Sequence, residues 1–196
     1  MIIPLDKMIV EYGMKIEGVM HIGGHTGQEV EKYQNAGIQN GIFFEPQKEA
    51  YEMLLKVSSQ DSKWQIFEKC GVGNDGFKKL NISKNSVSSS FLQMKKLHLD
   101  SSPDSQFIKE ENVKIISLDK IFIAGNKLFD KNFLKIDAQG YEKEILDSGK
   151  NVLDSFIGIS CEISIHPLYE GESKLFEMID YLNNRGYEIY SIHNSY

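Results

Sequence analysis

Cysteine is scarce in this chain, with two residues in 196, Cys70 and Cys161. They lie far apart and each sits in an apolar stretch, so neither a disulfide framework nor a cysteine-rich metal site is indicated. Two buried thiols in a reducing compartment are the simplest interpretation. The first residues, 1–7, also lack the charged-then-apolar order of a signal peptide. The sequence therefore predicts a cytoplasmic protein.

Long apolar runs and an excess of positive charge are also missing. The chain has no stretch of about 18 apolar residues, so no segment is expected to span a bilayer. It carries 22 basic and 28 acidic residues, a formal net charge of −6. Binders of nucleic acid or anionic membranes present a basic face, so neither partner is expected. At this length a single α/β domain over 1–196 is the default, and no feature indicates an oligomeric state.

What the chain does have is a glycine-rich turn between an apolar run, 18–22, and a helix-favouring segment. The turn, 23–27, predicts a place where a ligand approaches backbone without Cβ atoms, beside the free N–H groups of a helix start. A second apolar run, 41–44, ends in Glu45, which follows Gly23 by 45 − 23 = 22 residues. An acid about 20 residues after such a turn is typical of a ribose contact, since its two oxygens match two hydroxyls. The pattern predicts a nucleoside pocket.

The glycine spacing bears on which nucleoside is bound. A dinucleotide fingerprint needs glycines at i, i+2 and i+5. With Gly23 as the first glycine, the other two positions hold His25 and Gln28; with Gly23 as the second, they hold His21 and Thr26. Neither frame fits, so an NAD-dependent oxidoreductase is disfavoured and S-adenosylmethionine is favoured. A plain strand-to-helix turn whose glycines serve packing is the alternative.

Hydrophobic periodicity predicts alternating strands and helices, and hence a mostly parallel sheet with helices on both faces. The predicted strands are 18–22, 41–45, 64–70, 77–82, 113–117, 132–137, 155–163 and 187–192. The predicted helices are 4–14, 28–36, 50–57, 141–148 and 175–182, the first of them, within 1–16, capping one edge of the sheet.

Residues 83–112 interrupt this alternation. They contain eight serines and Pro103, and such a composition is typical of a loop, although the length is too great for an ordinary connection. Phe91 and Leu97 need cover from water, so the segment is predicted to be either a lid over the pocket or a surface insertion. For His98, an orientation toward water is favoured over one into the site.

Ligands of open α/β sheets bind beyond the carboxyl ends of the strands. Besides the glycine turn, the acids predicted at that edge are Glu45, Asp137 and Glu162. Plainer interpretations exist for two of them, because Asp137 suits a helix N-cap and Glu162 suits an edge position facing solvent. His166, directly before Pro167, suits either a catalytic base or a turn residue.

Seven short segments recur in a characteristic order: HIGGHTGQE (21–29), FFEP (43–46), SSS (88–90), ISLD (116–119), LKIDAQGYE (134–142), EIS (162–164) and LYEG (168–171). Their order and spacing resemble the FkbM-type family of S-adenosylmethionine-dependent methyltransferases, from about residue 17 onward. The resemblance implies a class I, Rossmann-like methyltransferase fold. It also implies methyl transfer to a hydroxyl oxygen of a small-molecule acceptor, typically a sugar or a glycosylated metabolite.

The resemblance also implies roles for single residues. Gly23 and Gly27 would contact the methionine part of the cofactor and Glu45 the ribose hydroxyls. Residues 70–73 would lie near the adenine. The residues predicted to bind the cofactor are His21, Gly23, Gly24, His25, Gly27, Glu45, Cys70, Gly71, Val72, Asp137 and Gln139. Asp137 or His166 is predicted as the base, with Glu162 orienting it. An alternative is Mg²⁺ held by Asp137 and Glu162, which would lower the pKa of the acceptor hydroxyl.

Two departures from the family pattern give a competing hypothesis. Many relatives carry aspartate where this chain has His21, and the family usually continues beyond the position of Tyr196 into a final antiparallel strand. The final edge strand is therefore expected to be missing. The alternative function is a non-catalytic nucleoside-binding domain with a degenerate or truncated methyltransferase fold.

Overall fold

A computed structural model describes Ile9, residues 13–123 and residues 130–192, apart from the side chains of residues 58 and 60. The strands are β1 (Gly18–Ile22), β2 (Gly41–Phe44), β3 (Trp64–Ile66), β4 (Gly71–Val72), β5 (Gly76–Ser83), β6 (Phe107–Ile116), β7 (Asn132–Ile136) and β8 (Phe156–Cys161). The helices are α1 (Val30–Asn35), α2 (Lys48–Gln60), α3 (Lys96–Ser101), α4 (Leu118–Ile123), α5 (Glu142–Asp147) and α6 (Leu175–Asn183). Short 3₁₀ turns cover Pro103–Ser105 and Leu153–Ser155.

The main sheet has five strands in the order β3-β2-β1-β7-β8, and every neighbouring pair is parallel. β1 and β2 are buried along their whole length, as expected for the continuous apolar runs of a covered parallel sheet. This confirms the predicted α/β, Rossmann-like architecture.

Successive side chains of β1 pack into different halves of the core, which is why a single apolar run can serve two helix layers. Met20 joins a cluster that includes Ile145 of α5 and Met178 of α6. Val19 joins a second cluster, with Tyr33 of α1 and others from α2 and β3. The helices therefore cover both faces of the sheet.

A smaller sheet, in the order β4-β6-β5, stands apart from the parallel one. β5 and β6 are antiparallel, and β6 begins at Phe107, well before the predicted start at Val113. The early part of β6 is rich in charge because its side chains face solvent, where Lys79 of β5 pairs with Glu110 at 2.8 Å. β3 likewise ends at Ile66, short of the predicted end at residue 70.

The prediction of an irregular 83–112 segment is wrong in part. Besides α3 and the start of β6, the segment makes isolated bridges, Asn81 to Ser90 and Met94 to Tyr169. Its serines bond one another and neighbouring backbone, so they form a hydrogen-bonded network where the composition indicated a loop. His98 is 8% exposed, so the expectation that it faces water is also wrong.

The predicted strand at 187–192 is wrong as well, because those residues adopt no regular structure. Tyr187 instead donates its hydroxyl toward the carbonyl oxygens of Leu153 and Phe156, at 2.5 and 2.8 Å, which ties the segment to the start of β8. The helix predicted at 4–14 lies mostly outside the described residues. Among the helices of the described part, none is both long and apolar enough to cross a bilayer.

Candidate functional site

A cavity of about 600 Å³ opens at the carboxyl ends of β1, β2 and β7. Its walls come from the turn after β1, the residues after β2 and β7, the start of β4, and the segment that follows β5. The volume is typical of a small-molecule site. The position is the one that parallel α/β sheets offer to ligands.

The turn after β1 is held tightly against its two neighbouring strands. Gly23 has a φ of +85°, and a Cβ there would overlap the carbonyl oxygen of Asp137. The N–H groups of Gly23 and Gly24 both donate to the carbonyl of Phe44, at 2.9 and 3.1 Å. These two N–H groups are therefore engaged, where free ones were expected, and α1 begins only at Val30.

Gly27 stands apart from the other glycines of the turn. It has a φ of +81°, and a Cβ there would lie 2.8 Å from a methyl carbon of Val57 on α2. It does not belong to the described residues that line the cavity. The structure thus places Gly27 at a helix-packing contact, whereas it places Gly23 and Gly24 in the cavity wall.

Glu45 projects from the end of β2 and is 2% exposed. One carboxylate oxygen accepts the N–H of His25 at 2.8 Å, and the other accepts the N–H of Gln47 at 2.8 Å. Burial raises the pKa of Glu45 to about 7, although these two hydrogen bonds act in the opposite direction. Each oxygen keeps one lone pair for a ligand.

His21, near the end of β1, and His25, in the turn that follows, are both neutral at neutral pH. Nδ1 of His21 lies 3.1 Å from the Tyr33 hydroxyl, and Nε2 lies 3.5 Å from a carboxylate oxygen of Glu29. Burial nevertheless lowers the pKa of His21 to about 4. His25 has a φ of +46° and its Nε2 lies 2.9 Å from the Ser86 hydroxyl. Burial also lowers the pKa of His25. Both side chains line the cavity, and His25 connects the turn to the segment after β5.

Cys70, Gly71 and Val72, for which the resemblance implies contact with the adenine, also line the cavity. Burial raises the pKa of the Cys70 thiol to about 12, so the thiol stays protonated. A Cβ at Gly71 would lie 2.7 Å from the ring of Phe91. The Tyr141 hydroxyl, also in this wall, is buried and has no hydrogen-bond partner in the described part of the chain.

Asp137 and Glu162 meet at the carboxyl ends of β7 and β8, and Gln139 joins them. Its amide nitrogen lies 3.1 Å from a carboxylate oxygen of Asp137 and 2.7 Å from one of Glu162. Burial, together with the negative charge of Asp137, raises the pKa of Glu162 to about 8. Burial also raises the pKa of Asp137, but two other effects outweigh it. The ammonium group of Lys135, 3.5 Å away, and hydrogen bonds to the carboxylate hold the pKa of Asp137 below its usual value. Near neutral pH the pair therefore consists of an ionised Asp137 and a protonated Glu162.

The orientation of Gln139 is fixed from several sides. It has a φ of +50°, its amide oxygen accepts the Tyr169 hydroxyl at 2.9 Å, and its backbone carbonyl accepts the Ser90 hydroxyl at 2.7 Å. Glu142 is buried and accepts the N–H of Ala138 at 2.9 Å, and burial raises the pKa of Glu142 to about 8. Tyr169, Ser90 and Glu142 were not predicted as site residues, although all three lie in segments that carry the family resemblance.

The structure separates two histidines that the sequence left ambiguous. His98 lines the cavity, where its ring lies perpendicular to that of Tyr169 with centroids 5.3 Å apart. His166 is exposed and is not among the described residues of the cavity wall. Asp137 and Glu162 are therefore brought together, and His166 is not brought to them.

The cavity is strongly acidic. Its acidic side chains, some of them protonated near neutral pH, are Glu29, Glu45, Asp137, Glu142, Glu162 and Glu172. Lys32 is the one basic side chain among the described residues that line it. Within the part of the chain that the structure describes, no group of three or more His, Cys, Asp or Glu side chains is arranged to hold a metal ion.

Comparison with known proteins gives a family. No curated protein matches the chain. A family model, the methyltransferase FkbM domain, matches residues 21–189. This region begins in β1 and contains every residue that lines the cavity. The chain therefore belongs to the FkbM family and is a methyltransferase.

Proposed function

We propose that the chain transfers the methyl group of S-adenosylmethionine to a hydroxyl oxygen of a small acceptor, of the sugar or glycosylated-metabolite class. The observation that carries this proposal is the placement of Glu45. Its buried carboxylate, held by two backbone N–H groups, faces the same cavity as Asp137, Gln139 and Glu162. One cavity thus combines a nucleoside-binding acid with a pair of carboxyl groups suited to proton transfer.

The cavity residues fit S-adenosylmethionine. The two remaining lone pairs of Glu45 match the two hydroxyl donors of a ribose. The unpartnered Tyr141 hydroxyl, in the wall with Val72, offers a hydrogen bond to a base at the adenine end. The ionised carboxylate of Asp137 suits the positive charge of a sulfonium, because opposite charges attract strongly in a partly buried site. The backbone of Gly23 and Gly24 forms the cavity wall at this turn, and a Cβ at either position would collide with Asp137 or Phe43.

When bound, S-adenosylmethionine supplies an electrophilic methyl group. The chain must hold the acceptor oxygen in line with that group and remove its proton. Asp137 is the base in this proposal, because it is ionised and lies in the cavity wall. Gln139 orients its carboxylate, and Lys135 keeps it ionised. Glu162 holds a proton and donates it as a hydrogen bond to Asp137.

The proposal is tested by calorimetric titration of the purified chain with S-adenosylhomocysteine, with NAD as the comparison ligand. We expect saturable binding of S-adenosylhomocysteine and none of NAD, since the turn lacks the glycine spacing that a pyrophosphate needs. Equal binding of the two ligands, or binding of neither, would contradict the proposal. Binding without turnover on any acceptor would favour the non-catalytic alternative.

A further inference from the structure

One wall of the cavity is made almost entirely of hydroxyl, amide and imidazole groups. It consists of Asn85, Ser88, His98, Ser101 and Ser102, all of which line the cavity, and is called the serine wall below. These residues lie between the end of β5 and Ser102, which directly follows α3. None of them has a role in holding the donor or in the proton transfer proposed above.

The serine wall lies next to the proposed reaction centre. The ring of His98 packs against the ring of Tyr169, and the Tyr169 hydroxyl donates to the amide oxygen of Gln139 at 2.9 Å. The other end of that amide holds Asp137. A molecule that rests on His98 is therefore one side chain away from the group that positions the base.

The hydrogen bonds that link Asn85, Ser88 and His98 through Ser105 allow an arrangement in which every hydroxyl proton has an acceptor within the chain. The Asn85 amide nitrogen donates to the Ser88 hydroxyl at 3.0 Å and to the Ser105 hydroxyl at 3.3 Å. The Ser88 proton then has the Ser105 oxygen, 3.0 Å away, as its acceptor. The Ser105 proton in turn has Nε2 of His98, at 3.1 Å, as its acceptor. In this arrangement every hydroxyl proton is used, and Nε2 of His98 bears none.

In this arrangement the proton of the neutral imidazole sits on Nδ1. Burial lowers the pKa of His98, which keeps the ring neutral at neutral pH. Nδ1 is buried and has no hydrogen-bond partner in the described part of the chain. A buried donor without an acceptor is unfavourable. Because His98 lines the cavity, a ligand oxygen that reaches Nδ1 when the acceptor binds would supply what is missing.

The charge around His98 restricts the kind of oxygen that fits. Glu172, which interacts electrostatically with His98, lines the same cavity, as does the ionised Asp137. An anionic ligand group such as a phosphate would be repelled by these carboxylates and would find no arginine or lysine in the serine wall. An uncharged hydroxyl or ether oxygen meets no such penalty.

We propose that His98 binds the methyl acceptor, with its Nδ1–H donating to an uncharged hydroxyl or ether oxygen, and that the serine wall selects uncharged polyhydroxylated acceptors over phosphorylated ones. This inference rests on the proposed function, because it assigns the acceptor side of the same cavity.

The test is methyl transfer from radiolabelled S-adenosylmethionine to a panel of methyl glycosides and the matching sugar phosphates. We expect methylation of at least one glycoside and of no sugar phosphate. For that glycoside, His98→Gln should raise KM by about tenfold, as expected for the loss of one buried hydrogen bond, with kcat little changed. His98→Asn should stay near wild type, because the Asn amide N–H falls near the position of Nδ1. Lys96→Ala, at an exposed position of α3, is the control.

The affinity for S-adenosylhomocysteine is measured in parallel and should be the same in all variants. Equal KM values for His98→Asn and His98→Gln, methylation of the sugar phosphates, or no methylated glycoside from a chain that binds S-adenosylhomocysteine would overturn the inference. A wild-type chain that does not bind S-adenosylhomocysteine would overturn the proposed function instead. If His98→Gln does not fold, Ser105→Ala takes its place. Without the Ser105 hydroxyl, no donor to Nε2 keeps the proton of His98 on Nδ1, so KM should rise. An unchanged KM in Ser105→Ala would also overturn the inference.

Discussion

Glu45 and Asp137 are both acids of the cavity wall, yet their surroundings give them opposite properties. Burial raises the pKa of Glu45 to about 7, so its charge changes near neutral pH. Burial of Asp137 is outweighed by Lys135 and by hydrogen bonds from Gln139 and Glu162, which keep the pKa low. Each carboxylate oxygen of Glu45 keeps a lone pair in the free chain, and the hydroxyl groups of a bound ligand can donate to these lone pairs and so stabilise the ionised form. Asp137 stays ionised near neutral pH, as a general base must.

The role of Asp137 as base predicts the effect of Asp137→Asn. The amide has almost the same shape but cannot take a proton, so kcat should fall by a factor of about 10²–10⁴. The measurement is the initial rate of methyl transfer at saturating donor and acceptor. Asp154→Asn, at an exposed position before β8, provides the control and should keep full activity. An Asp137→Asn variant with wild-type kcat would remove Asp137 from the mechanism.

At the scale of elements, the turn after β1 depends on a close approach between two backbone segments. The left-handed φ of +85° at Gly23 is matched by a φ of +84° at Gly37, but only Gly23 lies against another strand. At Gly37 a Cβ would meet no atom within 4 Å. Substitutions at Gly37 and Gly23 therefore separate two effects on the free energy of unfolding. One is the left-handed backbone conformation, and the other is the overlap of a Cβ with the carbonyl of Asp137.

Gly37→Ala should lower the free energy of unfolding by about 1 kcal/mol, the usual cost of a left-handed residue with a Cβ. Gly23→Ala should cost several kcal/mol more, on the order of an overpacked core, because the new methyl group overlaps the carbonyl of Asp137. Urea denaturation of both variants measures the difference. Equal losses of stability would mean that the turn can move away from β7.

Hydrophobic patterns in the sequence predicted the strands β1, β2 and β7, whose apolar side chains are all buried in the parallel sheet. They missed the first half of β6, because exposed charged residues in an ion-paired strand resemble a polar loop. They predicted a strand at 187–192 because apolar alternation alone does not show whether a neighbouring strand exists. Pairing partners are a property of the whole sheet and are not encoded in one segment.

The site residues that could be predicted from the sequence are those that directly follow a strand. Glu45, Asp137 and Glu162 each follow a strand of the parallel sheet, and parallel strands place those ends on one edge. His98 and Tyr169 were not predictable in this way. They come together through long-range contacts, among them the bridge from Met94 to Tyr169, which no local pattern indicates.

At the scale of the whole molecule, the parallel sheet brings its strand ends to one side of the cavity, and the segment after β5 supplies another. Glu45 and Gln47 connect the two, since the Glu45 carboxylate holds the N–H groups of Gln47 and His25, and the Gln47 amide donates to the carbonyl of Ser86 at 3.1 Å. Donor and acceptor would then enter one acidic cavity from different sides.

The central claim is that Glu45 binds the ribose of the donor, and the affinity for S-adenosylhomocysteine at two pH values tests it most directly. The carboxylate must be ionised to accept two hydroxyl groups. Because the pKa of Glu45 is about 7, affinity should be several-fold, up to about tenfold, higher at about pH 8 than at about pH 6. Glu45→Gln should bind more weakly and lose this pH dependence, whereas Glu52→Gln, exposed on α2, should behave like wild type. A Glu45→Gln variant with wild-type affinity and the same pH dependence would contradict the account.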